Sequence, residues 1–215
     1  MIMKRLPLML ALGVMGLGGI TAAHAQSYGG DDYGDPGFYG AIGYYDVAPK
    51  SDNGVLAGTF NTDIDSDAKP TLTLGYRFMN GWSAELWLPI SKFEHDVKLN
   101  GGKAATIEHM PTLLTGQYHF MPDSAWQPFI GLGYGWVSVS DEKTVGPLTG
   151  TNLDVDDDSG FVAQVGMDFY ATSNLFIRAD AKYFKWSSDV KLNGAGIGAV
   201  EVNPWIYGVS VGYRF

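Results

Sequence analysis

The sequence contains no cysteine among its 215 residues, so no disulfide framework stabilises the fold. Basic residues are also few, because 14 Lys and Arg stand against 23 Asp and Glu. The resulting net charge of −9 disfavours nucleic acid as a partner. Beyond residue 25 no stretch approaches about 18 consecutive apolar residues, so no membrane-spanning helix is predicted there. The chain is instead rich in glycine, with 29, and in aromatic residues, at 13%, which fits a soluble β-sandwich or a membrane β-barrel.

Residues 1–25 have the three parts of a secretory signal peptide. Lys4 and Arg5 precede an apolar stretch at residues 6–20, and Ala23-His24-Ala25 forms an A-x-A cleavage site. A membrane-spanning helix is the alternative, but the apolar stretch is short and glycine-rich. Cleavage would remove the two basic residues and make the charge of the exported chain more negative.

The last eleven residues alternate between apolar and small or polar side chains. One face carries Trp205, Tyr207, Val209, Val211, Tyr213 and Phe215, and the other carries Ile206, Gly208, Ser210, Gly212 and Arg214. Aromatic residues at both ends of an apolar face, with aliphatic residues between them, are typical of a strand that faces lipid. From Trp205 to Phe215 such a strand is about 33 Å long. Tilted by about 40°, it spans the roughly 25 Å apolar band of an outer-membrane barrel.

After a leader at residues 26–37, which we expect to be flexible, seven more segments have the pattern of strands. We place the strands at residues 38–47, 70–78, 82–90, 111–120, 126–139, 160–170, 175–186 and 205–215. The two faces of the first are similar, so its inward side stays unassigned. Three short turns and both chain ends fall on one side, and four long connections fall on the other, as in outer-membrane barrels. We predict that residues 38–215 are all-β and form an eight-stranded antiparallel transmembrane β-barrel with short periplasmic turns and long extracellular loops.

Two of the long connections share the sequence Asp-Val-Lys-Leu-Asn-Gly, at residues 96–101 and 189–194. Asn-Gly favours a two-residue hairpin turn, so we interpret both as similar hairpins above the membrane. Chance similarity of two polar hairpins is the alternative. A second repeat is found in the strands that run from the long loops toward the periplasmic turns. These strands end in Gly and aromatic residues, which fits an aromatic girdle at the periplasmic interface.

Several blocks of the sequence resemble the OmpW family of small outer-membrane barrels. These blocks are His109-Met110-Pro111-Thr112-Leu113, residues 127–133 and the ending from Asn203-Pro204-Trp205 to Phe215. The resemblance covers most of residues 37–215 but is poor in the first and third loops. It implies an eight-stranded barrel in the bacterial outer membrane and a role in passing small hydrophobic molecules across it. It also implies that Phe215 is similar to the signal read by the barrel-assembly machinery.

An eight-stranded barrel is just wide enough for side chains to fill, so no open aqueous pore is expected. The inward residues of its lower half include Arg77, Glu85, His119, Asp168, Arg178, Asp180 and Arg214. Opposite charges in a narrow lumen of low dielectric are expected to pair, because an unpaired charge there is costly. We predict a structural plug of ion pairs, with a proton relay as the alternative.

The inward residues of the upper half are apolar. They are Trp87, Leu113, Val137, Val139, Val162, Phe184, Trp186 and Ile206. An apolar lumen mouth that faces water suits a vestibule for an apolar ligand above the charged plug. The alternative is that these side chains simply pack together as a small core under the loops.

Five prolines, Pro49, Pro70, Pro89, Pro111 and Pro204, lie at or near the upper ends of strands. Proline cannot donate to the hydrogen-bond ladder, and ordinary strand termination explains its position. Pro89 and Pro111, however, lie on neighbouring strands, where a weakened ladder leaves a possible lateral gap toward lipid.

Other chemistry is weakly supported. Asp154, Asp156, Asp157 and Asp158 resemble a calcium loop, but the turn glycine and the terminal carboxylate are missing, so a solvated acidic loop is expected. His95 and His109 can meet across the second loop without a third zinc ligand. His109 with Thr112 is the nearest approach to a catalytic pair, and no acid stands behind it. We therefore predict no enzyme activity, no metal and no cofactor.

Two functions follow from these patterns. The first is a passive conduit for small hydrophobic molecules, which enter an extracellular vestibule and leave sideways into the membrane. The rival is a non-transporting surface protein, that is, an adhesin or a receptor for phage or colicin. The expected partners are outer-membrane lipid and lipopolysaccharide, small hydrophobic molecules, and the assembly machinery that reads Phe215.

Overall fold

The computed structural model describes residues 34–50 and 53–215, so the signal peptide and most of the leader lie outside the described residues. In this part the chain forms strands β1 (Gly37–Ala48), β2 (Val55–Leu56), β3 (Phe60–Ile64), β4 (Asp67–Arg77), β5 (Trp82–Pro89), β6 (Phe93–Leu99), β7 (Gly102–His119), β8 (Trp126–Thr144), β9 (Leu153–Val155), β10 (Asp158–Tyr170), β11 (Leu175–Lys185), β12 (Ser187–Leu192), β13 (Ala195–Glu201) and β14 (Trp205–Arg214). Two short 3-10 turns lie at Met79–Gly81 and Gly146–Leu148. Within these residues no helix has the length and apolar character needed to cross a membrane.

Eight of the strands close into one antiparallel barrel in the order β1-β4-β5-β7-β8-β10-β11-β14, and β14 pairs back with β1. The predicted eight-stranded antiparallel barrel is therefore confirmed. Strands β7 and β8 extend well beyond their predicted upper ends, and their ladder reaches Ala105 opposite Thr144. Short turns join the strands at the end of the barrel where β1 begins and β14 ends, and the long connections lie at the other end.

Alternation along each strand separates an outer apolar face from the lumen. Trp205 and Val209 of β14 and the following residue Phe215 are half exposed, whereas Ile206 and Arg214 of β14 are buried. At the turn end, aromatic rings of neighbouring strands pack against one another, and the ring centroids of Trp126 and Phe169, Phe38 and Tyr76, and Trp82 and Tyr118 are 4.5, 4.8 and 5.1 Å apart. Tyr134, Phe161, Trp136, Tyr183 and Trp205 form a second aromatic band near the loop end. These two bands are the girdles expected at the two interfaces of a membrane.

The structure also assigns the inward face of β1. Tyr39 and Tyr45 point into the lumen, while Phe38, Ile42 and Tyr44 point outward. Both faces therefore carry tyrosine, which is why alternation of the sequence does not separate them. The inward tyrosines are buried because their hydroxyl groups find carboxylate acceptors, Tyr39 at Glu85 (2.9 Å) and Tyr45 at Asp180 (2.5 Å).

Candidate functional site

The lower half of the lumen is filled by buried charged side chains that bond to one another. Arg178 donates two hydrogen bonds to Asp168, from Nε at 2.6 Å and from Nη2 at 2.8 Å, and it also bonds to Glu85. Arg77 Nη2 lies 3.4 Å from the same Asp168 carboxylate and 3.2 Å from His119 Nδ1. All five side chains are almost completely buried, so this layer closes the lumen below the loops.

A second set of polar contacts lies beside this layer. Asp180 accepts hydrogen bonds from Lys182 (2.5 Å), from Tyr45 (2.5 Å) and from Gln164 (2.9 Å). Lys182 is not among the residues predicted for the plug, although its inward parity with Asp180 is visible in the sequence. Arg214 lies lower, at the turn end, where its Nη2 donates to the Ser173 carbonyl at 2.8 Å.

Above the charged layer the predicted vestibule residues lie in one buried apolar cluster. Trp87, Leu113, Val137, Val162, Phe184 and Ile206 are at most 2% exposed, Trp186 is 7% exposed, and Val139 packs against their upper side. A Cβ at Gly135 would fall 2.4 Å from the Leu113 side chain and 2.9 Å from that of Phe184, so these side chains fill the space that the glycine leaves. The first six form a packed floor and are not among the residues that line the cavity above it.

A cavity of about 280 Å³ lies above this floor, in a cap built from the long connections. Of the predicted vestibule residues, only Val139 and Trp186 line it. The rest of its wall comes from β2, β3, β6, β9, β12 and β13, from the upper end of β7 and from the adjoining loops, and it is mostly apolar. Its polar side chains are Thr62, His95, Asn100, His109 and Ser188.

The cap consists of two equivalent units. We define unit 1 as residues 61–65 with the β6–β7 hairpin at residues 93–109, and unit 2 as residues 152–156 with the β12–β13 hairpin at residues 186–202. In unit 1 Thr62 pairs with Leu99 and Ile64 with Val97, and in unit 2 Leu153 pairs with Leu192 and Val155 with Val190.

The same polar contacts recur in both units. Lys98 Nζ lies 2.6 Å from the Asp65 carboxylate, and Lys191 Nζ lies 2.7 Å from that of Asp156. Each hairpin turns at an Asn-Gly pair with positive φ angles, 49° and 82° at Asn100 and Gly101, and 50° and 81° at Asn193 and Gly194. The repeated Asp-Val-Lys-Leu-Asn-Gly sequence thus forms two matching hairpins of the kind that Asn-Gly favours.

Sequence reasoning missed the partners of these hairpins, although a signal for them is present. Residues 61–65 read Asn-Thr-Asp-Ile-Asp and residues 152–156 read Asn-Leu-Asp-Val-Asp. The segment that precedes each unit bonds to the hairpin of the other unit, because Ala57 N donates to the Ile197 carbonyl (2.8 Å) and Val145 N donates to the Ala104 carbonyl (2.9 Å). The cavity is therefore lined mainly by two copies of one structural unit.

The two units differ in the imidazoles. A constant offset of 93 residues places Ser188 at the position of His95 and Val202 at that of His109. The rings of His95 and His109 are stacked, with centroids 4.7 Å apart, and Phe93 stacks on His109 at 5.8 Å. These groups lie above the membrane-spanning part of β7, since the outer aromatic residue Trp136 pairs with Thr112.

Burial decides the protonation state of this imidazole pair. It holds the pKa of His95 below the usual value of 6.5, although the hydrogen bond from its Nδ1 to the Asp65 carbonyl (2.5 Å) opposes the shift. Burial, and then the neighbouring His95, place the pKa of His109 well below 6.5. Both rings are neutral at physiological pH.

The units differ again in their hydrogen-bond ladders. The pairing of β5 with β7 ends at Trp87 opposite Leu113, and pairing with β7 resumes only at Phe93 opposite His109. Pro89 and Pro111, both buried, lie between these pairs, and we call this interval the ladder gap. At the equivalent place in unit 2 the bonding continues, because Phe184 N donates to the Pro204 carbonyl at 3.1 Å.

The other residues considered for catalysis or metal binding either point away from each other or already accept hydrogen bonds. His109 and Thr112 are three residues apart on one strand, so their side chains lie on opposite faces. In the acidic loop, Asp157 accepts a hydrogen bond from Val139 N (2.7 Å) and Asp158 one from Ser187 N (3.1 Å). No group of three or more potential metal ligands occurs in residues 34–50 and 53–215.

Comparison with known proteins identifies the family to which this chain belongs. The model of the OmpW family matches residues 42–215. Outer membrane protein W of Vibrio cholerae is 30% identical over 194 residues, which cover 80% of this chain and 86% of that protein. Outer membrane protein W of Escherichia coli K12 is 26% identical over 170 residues, 75% of this chain and 80% of that one.

A solved structure extends the similarity to three dimensions. The crystal structure of the outer membrane protein OprG from Pseudomonas aeruginosa has a TM-score of 0.76 and 26% sequence identity. The match covers 87% of this chain and 99% of OprG.

Proposed function

Because this chain belongs to the OmpW family and is an outer-membrane β-barrel, we propose that it passes small hydrophobic molecules from the outside into the membrane. The molecule enters the cap cavity at the extracellular end and leaves sideways through the ladder gap. The observation that carries this proposal is the apolar cavity of about 280 Å³ above a closed, charged lumen.

Transfer of an apolar molecule from water into the cavity is favourable because the cavity wall is mostly apolar. Its wall includes Ile64, Val97 and Leu99 of unit 1 and their counterparts Val155, Val190 and Leu192 of unit 2. Each Å² of apolar surface that the molecule removes from water contributes about 25 cal/mol. Binding of this strength is weak enough for release, because lipid solvates the molecule equally well.

The direct route to the periplasm is blocked twice. The packed floor around Trp87, Leu113 and Phe184 lies directly below the cavity. Beneath it, passage would separate Arg178 from Asp168 and Glu85, and breaking a buried ion pair without replacing it costs about 3–5 kcal/mol. A hydrophobic molecule supplies no compensating contacts.

The ladder gap supplies the sideways route. It lies next to the cavity, because His109 both lines the cavity and begins the ladder above the gap. Phe93 is completely buried and stacks on His109, so these two rings stand between the cavity and the gap. The imidazole pair belongs to unit 1 and the ladder gap lies directly below that unit, which makes this side of the cap the functional one.

Closing the ladder gap tests the proposal. Val can donate the backbone hydrogen bond that proline cannot and fits a strand, so the double variant Pro89→Val, Pro111→Val should restore the ladder. We expect uptake of a dilute hydrophobic tracer to fall several-fold toward that of cells without the protein. Pro204→Val, at the position below unit 2 that corresponds to Pro111, should leave uptake unchanged.

Two results would count against the conduit. Full uptake by the double variant would exclude the ladder gap as the exit. If the wild-type protein gives no more uptake than its absence, the conduit fails, and the rival function as an adhesin or phage or colicin receptor takes its place.

A further inference from the structure

The cavity wall is mostly apolar in both units, and unit 1 alone adds a pair of imidazoles to it. Positions 64, 97, 99 and 107 of unit 1 and their counterparts 155, 190, 192 and 200 of unit 2 are all Ile, Val or Leu. The two units differ at His95 and His109, where unit 2 has Ser188 and Val202, and at Thr62, where unit 2 has Leu153. The fold of the cap therefore does not require imidazoles at these positions, and their presence needs another reason.

His95 has an acceptor that nothing satisfies. Its Nδ1 lies 2.5 Å from the Asp65 carbonyl oxygen, which can only accept, so Nδ1 carries the proton of the neutral ring. Nε2 is then a hydrogen-bond acceptor. The side chain is 3% exposed, and Nε2 is buried with no partner. A buried polar atom left in this state costs free energy.

The His109 ring can both donate and accept a hydrogen bond. In the described part of the chain its ring takes part in stacking contacts and in no hydrogen bond. The two imidazoles cannot bond to each other, because their planes are 24° apart and stacked, whereas ring hydrogen bonds lie in the plane of the ring. The neutral ring of His109 thus offers one N–H donor and one acceptor at the cavity wall.

We propose that the imidazole pair anchors the single hydroxyl group of an otherwise apolar ligand, such as a medium-chain aliphatic alcohol. This inference rests on the proposed function and names its substrate class. A hydroxyl both donates and accepts, so it matches two neutral imidazoles better than an anion, which would find only donors useful. The cavity volume is about twice that of a roughly 150 Å³ cavity that binds benzene, which gives room for on the order of ten non-hydrogen atoms.

Binding to the full exported chain in lipid nanodiscs tests the anchor. We would titrate 1-hexanol and 1-methoxypentane, which have the same number of non-hydrogen atoms but differ in the hydroxyl donor, and measure affinity by calorimetry against empty nanodiscs. We expect 1-hexanol to bind roughly 2- to 10-fold more tightly, the gain from one additional net hydrogen bond. In histidine-labelled protein the ring signals of His95 and His109 should shift, and that of the lumen residue His119 should not.

Variants taken from the other unit keep the cap folded. His109→Val and His95→Ser introduce the residues that unit 2 carries at these positions. Each variant should bind 1-hexanol and 1-methoxypentane with about equal affinity, without weakening the binding of the ether. Ser187→Ala, at an exposed position of unit 2 outside the cavity lining, should keep the wild-type ratio of the two affinities. Equal affinities in the wild type, or a preserved preference in His109→Val, would overturn the anchor while leaving the conduit intact. Binding of neither probe would overturn both.

Discussion

Asn61 and Asn100 exchange two hydrogen bonds across the cap, from Asn61 N to Asn100 Oδ1 (3.0 Å) and from Asn100 N to the Asn61 carbonyl (2.9 Å). Asn152 and Asn193 repeat the exchange at 2.8 and 2.7 Å. In each unit the asparagine that turns the hairpin also fastens the neighbouring loop to it. The same pair of asparagine hydrogen bonds therefore stabilises both units of the cap.

The first prediction concerns this fastening. Asn100→Gly keeps the positive φ of the turn but removes the Oδ1 acceptor, so we expect unit 1 to lose roughly 1 kcal/mol of local stability. Amide hydrogen exchange should accelerate at residues 61–65 and stay unchanged in the barrel strands. Asn193→Gly should have the same effect at residues 152–156 alone. If either variant accelerates amide exchange in both units, the claim that each unit is stabilised separately by its own asparagine pair is contradicted.

The barrel itself could be predicted from the sequence because its strands obey a local rule. On β14 every second residue from Trp205 to Phe215 is apolar, and the membrane outside and the narrow lumen inside enforce that pattern. On β1 the rule fails, since Tyr39 and Tyr45 face inward and Tyr44 outward. Their direction depends on Glu85 and Asp180, carboxylates that lie far away in the sequence.

The cavity could not be located from the sequence. Alternation correctly places Trp87, Leu113 and Phe184 inside, but it does not say whether space remains between them. That depends on side-chain volumes and on small residues such as Gly135, which let neighbours fill the lumen. The space lies one layer higher, where loop segments that are distant in sequence pair with the hairpins. The meeting of His95 and His109, in contrast, follows from the hairpin alone.

The charged layer gives the second prediction. Arg178→Met should leave Asp168 and Glu85 buried without their main partner and destabilise the barrel by about 3–5 kcal/mol. Lys103→Met removes a partner of Asp96 from an exposed pair at 2.7 Å and should cost less than about 1 kcal/mol. Urea unfolding in lipid vesicles measures both. Comparable losses from the two variants would argue against a buried ion-pair plug.

The third prediction concerns the pH dependence of the cap. Burial keeps the pKa of His95 below 6.5, the Asp65 carbonyl and the carboxylates of Asp67 and Asp46 raise it in part, and Lys69 lowers it. The pKa of His109 is lowered further, by burial and then by His95. Below about pH 6.5 an opened cap binds protons that the closed cap does not, so stability is lost as the pH falls and is unaffected above it.

Hydrogen exchange of unit 1 amides at about pH 7.5 and about pH 5.5, corrected for intrinsic rates, measures this loss. We expect cap opening to become easier at the lower pH in the wild type. The double variant His95→Ser, His109→Val should show no such change. An equal response to acid in both proteins would assign the effect to other groups.

Sideways exit through the ladder gap is the central claim. Leu88 and Thr112 continue the register of Trp87 and Leu113 by one residue into the gap, whereas Leu86 and Leu114 are a regular pair below it. The chain has no cysteine, so an engineered pair would carry the only thiols. Opposed residues of an antiparallel ladder are about 4.5–5.5 Å apart at Cα, which a disulfide can bridge.

The most direct measurement is uptake of a hydrophobic tracer by cells that carry Leu88→Cys, Thr112→Cys, before oxidation, after oxidation and after reduction, with crosslinking followed by mass spectrometry. We predict that oxidation lowers uptake nearly to the level of cells without the protein and that reduction restores it. The control pair Leu86→Cys, Leu114→Cys should not respond. Undiminished uptake through a fully crosslinked Leu88→Cys, Thr112→Cys protein would contradict lateral exit.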